Sequence, residues 1–237
     1  TGFLSIINEL VDSAIKGILK DKVYCIYVSP LKALNYDIEV NLKGPLSEIE
    51  QMYEDETGKN LGIRIGVRTG DTTAAEKTKM LKKPPHILIT TPESLAIMLS
   101  SIRFRDHISD VDWCIIDEIH ALAENKRGVH LNLSLERMGY LASHMTRIGL
   151  SATVSPLEEV ARFLVGVKRG CKIIDVQFIK QLDLKVLSPA ESLIDIDHET
   201  LHKNTYKLID DLVKKQKTTL IFTNTRAATE RVVHHLK

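Results

Sequence analysis

Short runs of β-branched and other apolar residues recur along this 237-residue chain with helix-like stretches between them: Val23–Val28, Ile63–Val67, His86–Thr90, Trp113–Asp117, Arg147–Leu150 and Lys172–Val176. Near-continuous apolar strands alternating with helices specify a parallel sheet covered on both faces. In such α/β sheets the loops at the carboxyl ends of the strands carry the ligands. The first five runs are each followed closely by a polar or small-residue cluster: Ser29-Pro30, Thr69-Gly70-Asp71, Thr91-Pro92-Glu93, Glu118-Ile119-His120 and Ser151-Ala152-Thr153. That placement predicts one ligand-binding edge. After Val176 the pattern restarts, with an apolar run at Leu184–Leu187, a helix-like stretch over His198–Lys215, a run at Thr219–Phe222 and a helix beginning near Arg226. A boundary is expected near Phe178–Asp183, so that 1–177 form one domain and 178–237 begin a second.

Composition narrows the partners. With 43% hydrophobic residues the chain has the means to fill a core and is too apolar for a disordered one. Lys plus Arg number 32 against 31 Asp plus Glu, so no global basic field announces a polyanion, and any nucleic-acid contact has to come from a local stripe. Cys25, Cys114 and Cys171 all lie within apolar, strand-like runs without C-x-x-C spacing, which predicts buried, reduced thiols and neither a disulfide framework nor a zinc site. No apolar stretch approaches the roughly 20 residues that span a bilayer, and Thr1–Leu10 lacks the flanks of a signal peptide. The expectation is a soluble, intracellular, cytoplasmic protein with no membrane contact.

The sharpest local feature is Cys114-Ile115-Ile116-Asp117-Glu118-Ile119-His120, an apolar strand ending in two adjacent carboxylates and a histidine. Mg²⁺ takes hard oxygen ligands and usually keeps several waters, so one strand-end carboxylate suffices to hold it beside a nucleotide's phosphates. The neighbouring carboxylate is then placed to polarise an attacking water as general base. Taken alone, the same residues also fit a strand that simply ends in solvated acids.

The surrounding motifs decide between these. Asp117-Glu118-Ile119-His120 resembles the DExH box, motif II, of superfamily 2 helicases, and other stretches match that family in order. Ser29-Pro30-Leu31-Lys32-Ala33-Leu34 is similar to motif Ia, Thr90-Thr91-Pro92-Glu93-Ser94-Leu95 to the T-P-E element of motif Ib/Ic, and Ser151-Ala152-Thr153 to motif III. Lys126-Arg127-Gly128, Leu133-Ser134-Leu135-Glu136-Arg137 and Leu220-Ile221-Phe222-Thr223-Asn224-Thr225-Arg226 narrow the resemblance to the large helicase-related (Lhr) family, the last of them resembling motif IV. It implies a RecA-like α/β domain followed by the start of a second, and an ATP-dependent, Mg²⁺-requiring helicase.

Carried over, the resemblance makes Asp117 the Mg²⁺ carboxylate, Glu118 the general base and His120 a link between nucleotide and inter-domain contact. By the same resemblance Ser151 and Thr153 would couple hydrolysis to domain movement, although strand-end hydroxyls also serve local backbone groups. It further implies a single-stranded DNA, RNA or DNA–RNA hybrid substrate, 3′ to 5′ movement and a role in repair or recombination.

Nucleic acid would cross the same edge at Pro30, Lys32, Gly70, Asp71, Thr91 and Pro92, where small hydroxyl residues, backbone N–H groups and a lysine suit phosphate oxygens and position a strand without reading its bases. Thr223, Asn224 and Arg226 would meet the backbone from the second domain. Each has a plainer reading: Lys32 as a solvated helix-start lysine, Gly70 as a turn, Thr91-Pro92 as a helix start and Arg226 as a first-turn surface residue; Lys126-Arg127-Gly128 fits a basic loop gripping nucleic acid or an inter-domain contact, and more commonly a solvated face. His234 and His235 have no sequence partner at metal-ligand spacing and read as helix surface.

The match has gaps. The chain contains no G-x-x-x-x-G-K-S/T loop to cradle ATP phosphates, and it ends before the family's motifs V and VI, so the 237 residues by themselves are expected to hydrolyse ATP poorly. Two rivals remain open: a helicase-like module that only binds nucleic acid or protein, and a metal-dependent nuclease in which Asp71 or Glu93 joins Asp117 and Glu118.

Overall fold

A computed structural model describes residues 2–30, 32–152, 154–166, 169–175, 183–192 and 194–236, the side chains of 32–37 excepted. The chain divides into two units, Thr1–Asp175 and Val176–Lys237.

The first unit is a five-stranded parallel sheet in the order β2-β3-β1-β4-β5, with β1 Cys25–Val28, β2 Ile65–Arg68, β3 Ile87–Thr90, β4 Trp113–Ile116 and β5 Thr146–Gly149. Helices α1 Gly2–Ile15, α2 Lys32–Thr57, α3 Ala74–Lys82, α4 Pro92–Ser100, α5 Ile102–Arg105, α6 Ile119–Ala123, α7 Lys126–Leu141 and α8 Leu157–Val165 fill the connections. Because successive strand residues face opposite sides, the short apolar runs feed two cores at once. Ile26, Val28, Leu88, Cys114 and Ile116 join Leu95, Leu99, Leu131, Leu135 and Leu164 on one face. Cys25, Tyr27, Ile87, Ile89 and Ile115 join Ile6, Leu10, Leu42 and Leu46 on the other.

Local chemistry sets the helix starts. Thr73 and Glu76 form a reciprocal cap on α3, Thr91 caps α4 directly before Pro92, and Asn125 caps α7. Gly128, in the first turn of α7, lies so close to α6 that a Cβ there would sit 1.8 Å from the Leu122 carbonyl oxygen. On the flank of α7, Glu136 accepts from Arg169 at 2.6 Å and from Arg147 at 2.8 Å. The two guanidiniums, Arg169 foremost, hold its carboxyl down at about 2.

At the amino ends of the strands His86 is buried, its Nδ1 accepting from the Arg64 amide at 3.1 Å. Burial, helped by the Arg64 charge, pulls its pKa down to about 4. The unfolded imidazole titrates near 6.5, so between 6.5 and 4 the unfolded state binds a proton that the folded state refuses. The resulting stability is complete above 6.5 and is lost as pH falls toward 4, by about 3 kcal/mol. Urea unfolding followed by Trp113 fluorescence, at pH 7 and pH 4, checks this against His86→Gln. An equal loss in both proteins removes His86 as its source.

Several expectations are corrected. Among the described residues no strand forms at 172–175, and Cys171 is exposed, whereas Cys25 and Cys114 are buried, with burial pushing the Cys114 thiol up to about 12. The second unit, described by itself, contains α9 His198–Lys214 and α10 Arg226–His235, capped by Asp197 and Thr225. Its apolar runs at 184–187 and 219–222 are not strands: Leu184, Val186, Leu220 and Phe222 are exposed. A strand exists only within a ladder, and no described strand of this unit offers one. His235 is exposed on α10, as read from the sequence, and its ring stacks on Tyr206 of α9 at 4.0 Å.

Candidate active site

The carboxyl end of β4 adjoins the ends of β1 and β5, and the acidic pair sits there. Asp117 extends the ladder by one bond, its amide donating to the Val28 carbonyl at 2.9 Å. Its Oδ1 accepts the Glu118 amide at 2.9 Å, and its Oδ2 accepts the hydroxyl of Tyr27 from β1. Tyr27 is almost fully buried, and burial first, then the hydrogen bond to Asp117, drives its phenol pKa far up. The phenol therefore stays a donor and fixes one carboxylate oxygen. Sequence reasoning missed Tyr27, because a tyrosine in an apolar strand reads as core; the signal available was its place two residues before Ser29-Pro30, on a strand paired with β4.

Glu118 adopts φ 50°, ψ 40°, the one positive-φ non-glycine among the described residues. A left-handed residue with a Cβ costs roughly 1–2 kcal/mol, and such strain gathers at functional sites. Neighbouring bonds hold it in place: the Ile119 amide donates to the Leu150 carbonyl at 3.0 Å and the Leu150 amide to the Ile116 carbonyl at 2.8 Å.

His120, in the first turn of α6, bridges the ends of β4 and β5. Its Nδ1 lies 3.3 Å from the Ala152 amide and 3.2 Å from the Ser151 hydroxyl, and its Nε2 lies 3.2 Å from Glu118 Oε2. An amide N–H only donates, so Nδ1 accepts and the ring proton sits on Nε2, donating to Glu118. Asp117, Glu118, His120 and Ser151 thus form one connected group; Thr153 lies outside the described residues.

The edge over β1, β3 and β2 is built differently. Pro30 and Thr91 are buried, and the Thr91 hydroxyl is engaged with Ser94, whose amide it caps at 3.4 Å. Pro92 opens α4 and Lys32 opens α2, the Lys32 side chain lying outside the described residues. Gly70 and Asp71 are exposed on a turn after β2 that is closed by Thr69 and Thr72, whose amide and hydroxyl meet at 2.8 Å. Arg68, at the end of β2, lays its guanidinium over Phe104 at 4.1 Å. In the second unit Thr223 bonds the Thr229 hydroxyl at 2.6 Å, Asn224 is exposed, and Arg226 begins α10.

Arg127 is exposed, as a solvated face would have it, yet its guanidinium is engaged. Its Nε donates to Glu93 Oε1 at 2.6 Å and its Nη2 to the Pro30 carbonyl at 3.1 Å. That engages the carboxylate a nuclease would need, and among the described residues no group of three His, Cys, Asp or Glu side chains is placed to hold a metal. No described helix is long and apolar enough to cross a membrane.

Comparison with known proteins agrees with this geometry. The DEAD/DEAH box helicase profile matches residues 3–163. The ATP-dependent helicase Lhr-Core of Methanothermobacter thermautotrophicus is 56% identical over 241 residues, covering 100% of this chain and 28% of that protein. Its namesake from Methanocaldococcus jannaschii is 55% identical over 238 residues, with the same shares covered. The chain thus spans little more than a quarter of these relatives. The structure of Mycobacterium smegmatis helicase Lhr bound to ssDNA and AMP-PNP superposes with a TM-score of 0.77 at 40% identity, covering 99% of this chain and 29% of that one. An acidic pair on the central strands, a histidine tied to the next strand's end and a profile match over most of the sheet converge: with its RecA-like fold and Lhr resemblance upheld, the chain belongs to the DEAD/DEAH box helicase family.

Proposed function

We propose that these residues are part of the motor of an ATP-dependent nucleic-acid helicase, in which ATP hydrolysis at the β4–β5 end drives movement along a single strand crossing the β1–β3–β2 end. The observation that carries the reading is the connected group Asp117, Glu118, His120 and Ser151, strained at Glu118. Single-stranded DNA is the favoured track, since the Mycobacterium relative holds ssDNA and a nucleotide analogue. RNA and hybrid remain arms of the same test. Residues 178–237 are read as the beginning of the second RecA-like domain, with Thr223, Asn224 and Arg226 as its backbone contacts, and 1–177 as the first.

Asp117 fits Mg²⁺. Each of its oxygens has one partner in the fold and one lone-pair direction left, which suits an ion that is held by a single carboxylate and waters. Mg²⁺ bound there supplies charge neutralisation for phosphates. The protein's own work is to hold and orient. Tyr27 fixes Asp117, His120 holds Oε2 of Glu118, and Oε1 of Glu118 takes a proton from water. Ser151 passes a change at His120 to the end of β5.

Replacing Tyr27 by Phe keeps the ring's packing and removes the donor. The Mg²⁺ concentration for half-maximal ATP turnover of the full-length protein is expected to change about tenfold, since hydrogen bonds to charged groups are worth about 1.5–3 kcal/mol. An unchanged Mg²⁺ profile would detach Tyr27 from the site. The whole reading is tested by ATP turnover of the full-length protein with and without single-stranded DNA or RNA. Stimulated turnover supports a motor; binding without turnover establishes the non-enzymatic module instead. The 237 residues by themselves, without a phosphate-cradling loop, are expected to turn over ATP poorly.

A further inference from the structure

Three segments remote in sequence meet at one guanidinium. Arg127 stands at the start of α7 and donates through Nε to Glu93, in the first turn of α4, and through Nη2 to the carbonyl of Pro30, directly after β1. These two are the loops that carry Pro30 and Thr91-Pro92 on the edge assigned to nucleic acid. The bond to Arg127, first among several causes, holds the Glu93 carboxyl below its usual range, so the pair is charged on both sides.

The other end of Arg127 is equally committed. Asn125 caps α7 through the Gly128 amide at 3.0 Å and reaches back to the Ala121 carbonyl at 2.6 Å. Gly128 presses against the Leu122 carbonyl with no room for a Cβ. The start of α7 and the short helix α6 therefore move as one piece, and α6 begins with Ile119 and His120, directly after the strained Glu118. A displacement of the Pro30 or Glu93 loop is passed by Arg127 to the turn that aims Glu118.

We propose that Arg127 is a positioning residue that couples strand occupancy at the β1 and β3 loops to the orientation of Glu118, and so sets the nucleic-acid stimulation of ATP turnover. The inference rests on the helicase reading given above. An exposed ion pair contributes little stability by itself, which leaves the fold intact when it is cut. A forked donor that satisfies a carboxylate and a backbone carbonyl at once is also not replaced by lysine.

The experiment measures ATP turnover of the full-length protein with and without single-stranded oligo(dT), for wild type, Arg127→Ala, Arg127→Lys, Glu93→Ala and the Glu93→Ala/Arg127→Ala double variant. Expected for Arg127→Ala is unchanged melting temperature, unchanged DNA-free turnover and unchanged KM for ATP, with the oligo(dT)-stimulated kcat about tenfold lower, a typical coupling between sites. Arg127→Lys falls between, and the double variant is no worse than Arg127→Ala alone because both cut one linkage. Full stimulation of Arg127→Ala overturns the proposal. So does an equal loss of DNA-free and stimulated turnover, which marks a general structural role, or a loss confined to oligo(dT) affinity, which makes Arg127 a direct phosphate contact. A wild type that oligo(dT) does not stimulate defeats the helicase reading itself, and the proposal with it.

Discussion

Full-length protein carrying Glu118→Gln is expected to turn over ATP about a thousandfold more slowly than wild type, the middle of the range for removing a general base. The substitution is nearly isosteric, and the amide's Oε1 still accepts from His120 Nε2, so the bridge to Ser151 survives. The left-handed backbone is equally tolerable for both side chains. What disappears is the proton acceptor, and the loss therefore falls on kcat, while KM for ATP and affinity for single-stranded DNA stay near wild type. Steady-state turnover beside an equilibrium DNA-binding measurement separates these terms. If Glu118→Gln retained wild-type kcat, the carboxylate would be structural, and the base would have to be sought elsewhere at the end of β4.

The largest stability effect belongs to a residue with no side chain. Gly128→Ala would put a methyl group 1.8 Å from the Leu122 carbonyl oxygen, with the ring of Phe163 at 3.1 Å on the far side. The Leu122 carbonyl cannot turn away as a flexible side-chain tip would, because it is backbone within α6. Relief requires α6 and α7 to separate, which also breaks the Asn125 cap. Overpacking typically costs about 1–3 kcal/mol and backbone clashes more, so about 4 kcal/mol is expected. For a unit of this size that lowers Tm by roughly 10 °C. Gly170→Ala is the control, since nothing lies within 4 Å of its would-be Cβ. Equal melting temperatures for the two variants would mean that the α6–α7 contact is looser in solution.

Much of this was legible beforehand, for identifiable reasons. Period and β-branched content located all five strands, and the polar clusters after them fall at the carboxyl ends of those strands. The ends were misjudged where burial and pairing diverge: Val23 is fully buried, yet its amide bonds the His107 carbonyl outside the ladder. The apolar runs beyond the sheet, at 172–176, 184–187 and 219–222, show the converse limit, because hydrophobicity alone does not supply a neighbouring strand. Residue 176 itself falls outside the described residues. Within the site, Asp117, Glu118, His120 and Ser151 were readable because each residue type has a chemical role. Tyr27 and Arg127 were not, since their importance lies in which remote atom they reach, and that depends on the strand order β2-β3-β1-β4-β5. A helix start was weighed for Thr91-Pro92, and the cap on α4 is what its hydroxyl serves.

The bond between Tyr27 and Asp117 joins residues 90 positions apart in the chain. At the usual pace of synthesis, roughly 5–20 residues per second, the tyrosine leaves the ribosome about 5 to 18 seconds before its acidic partner. For about two thirds of that interval the central Cys-Ile-Tyr-Val segment has neither flanking strand, because β3 is complete only at Thr90 and β4 leads directly into the aspartate. A nascent chain halted within α2 therefore displays its stickiest segment unpaired. Release of the chain at that point favours aggregation, and a holdase that recognises short apolar segments would find its target at Cys25–Val28 well before the catalytic carboxylates have been made.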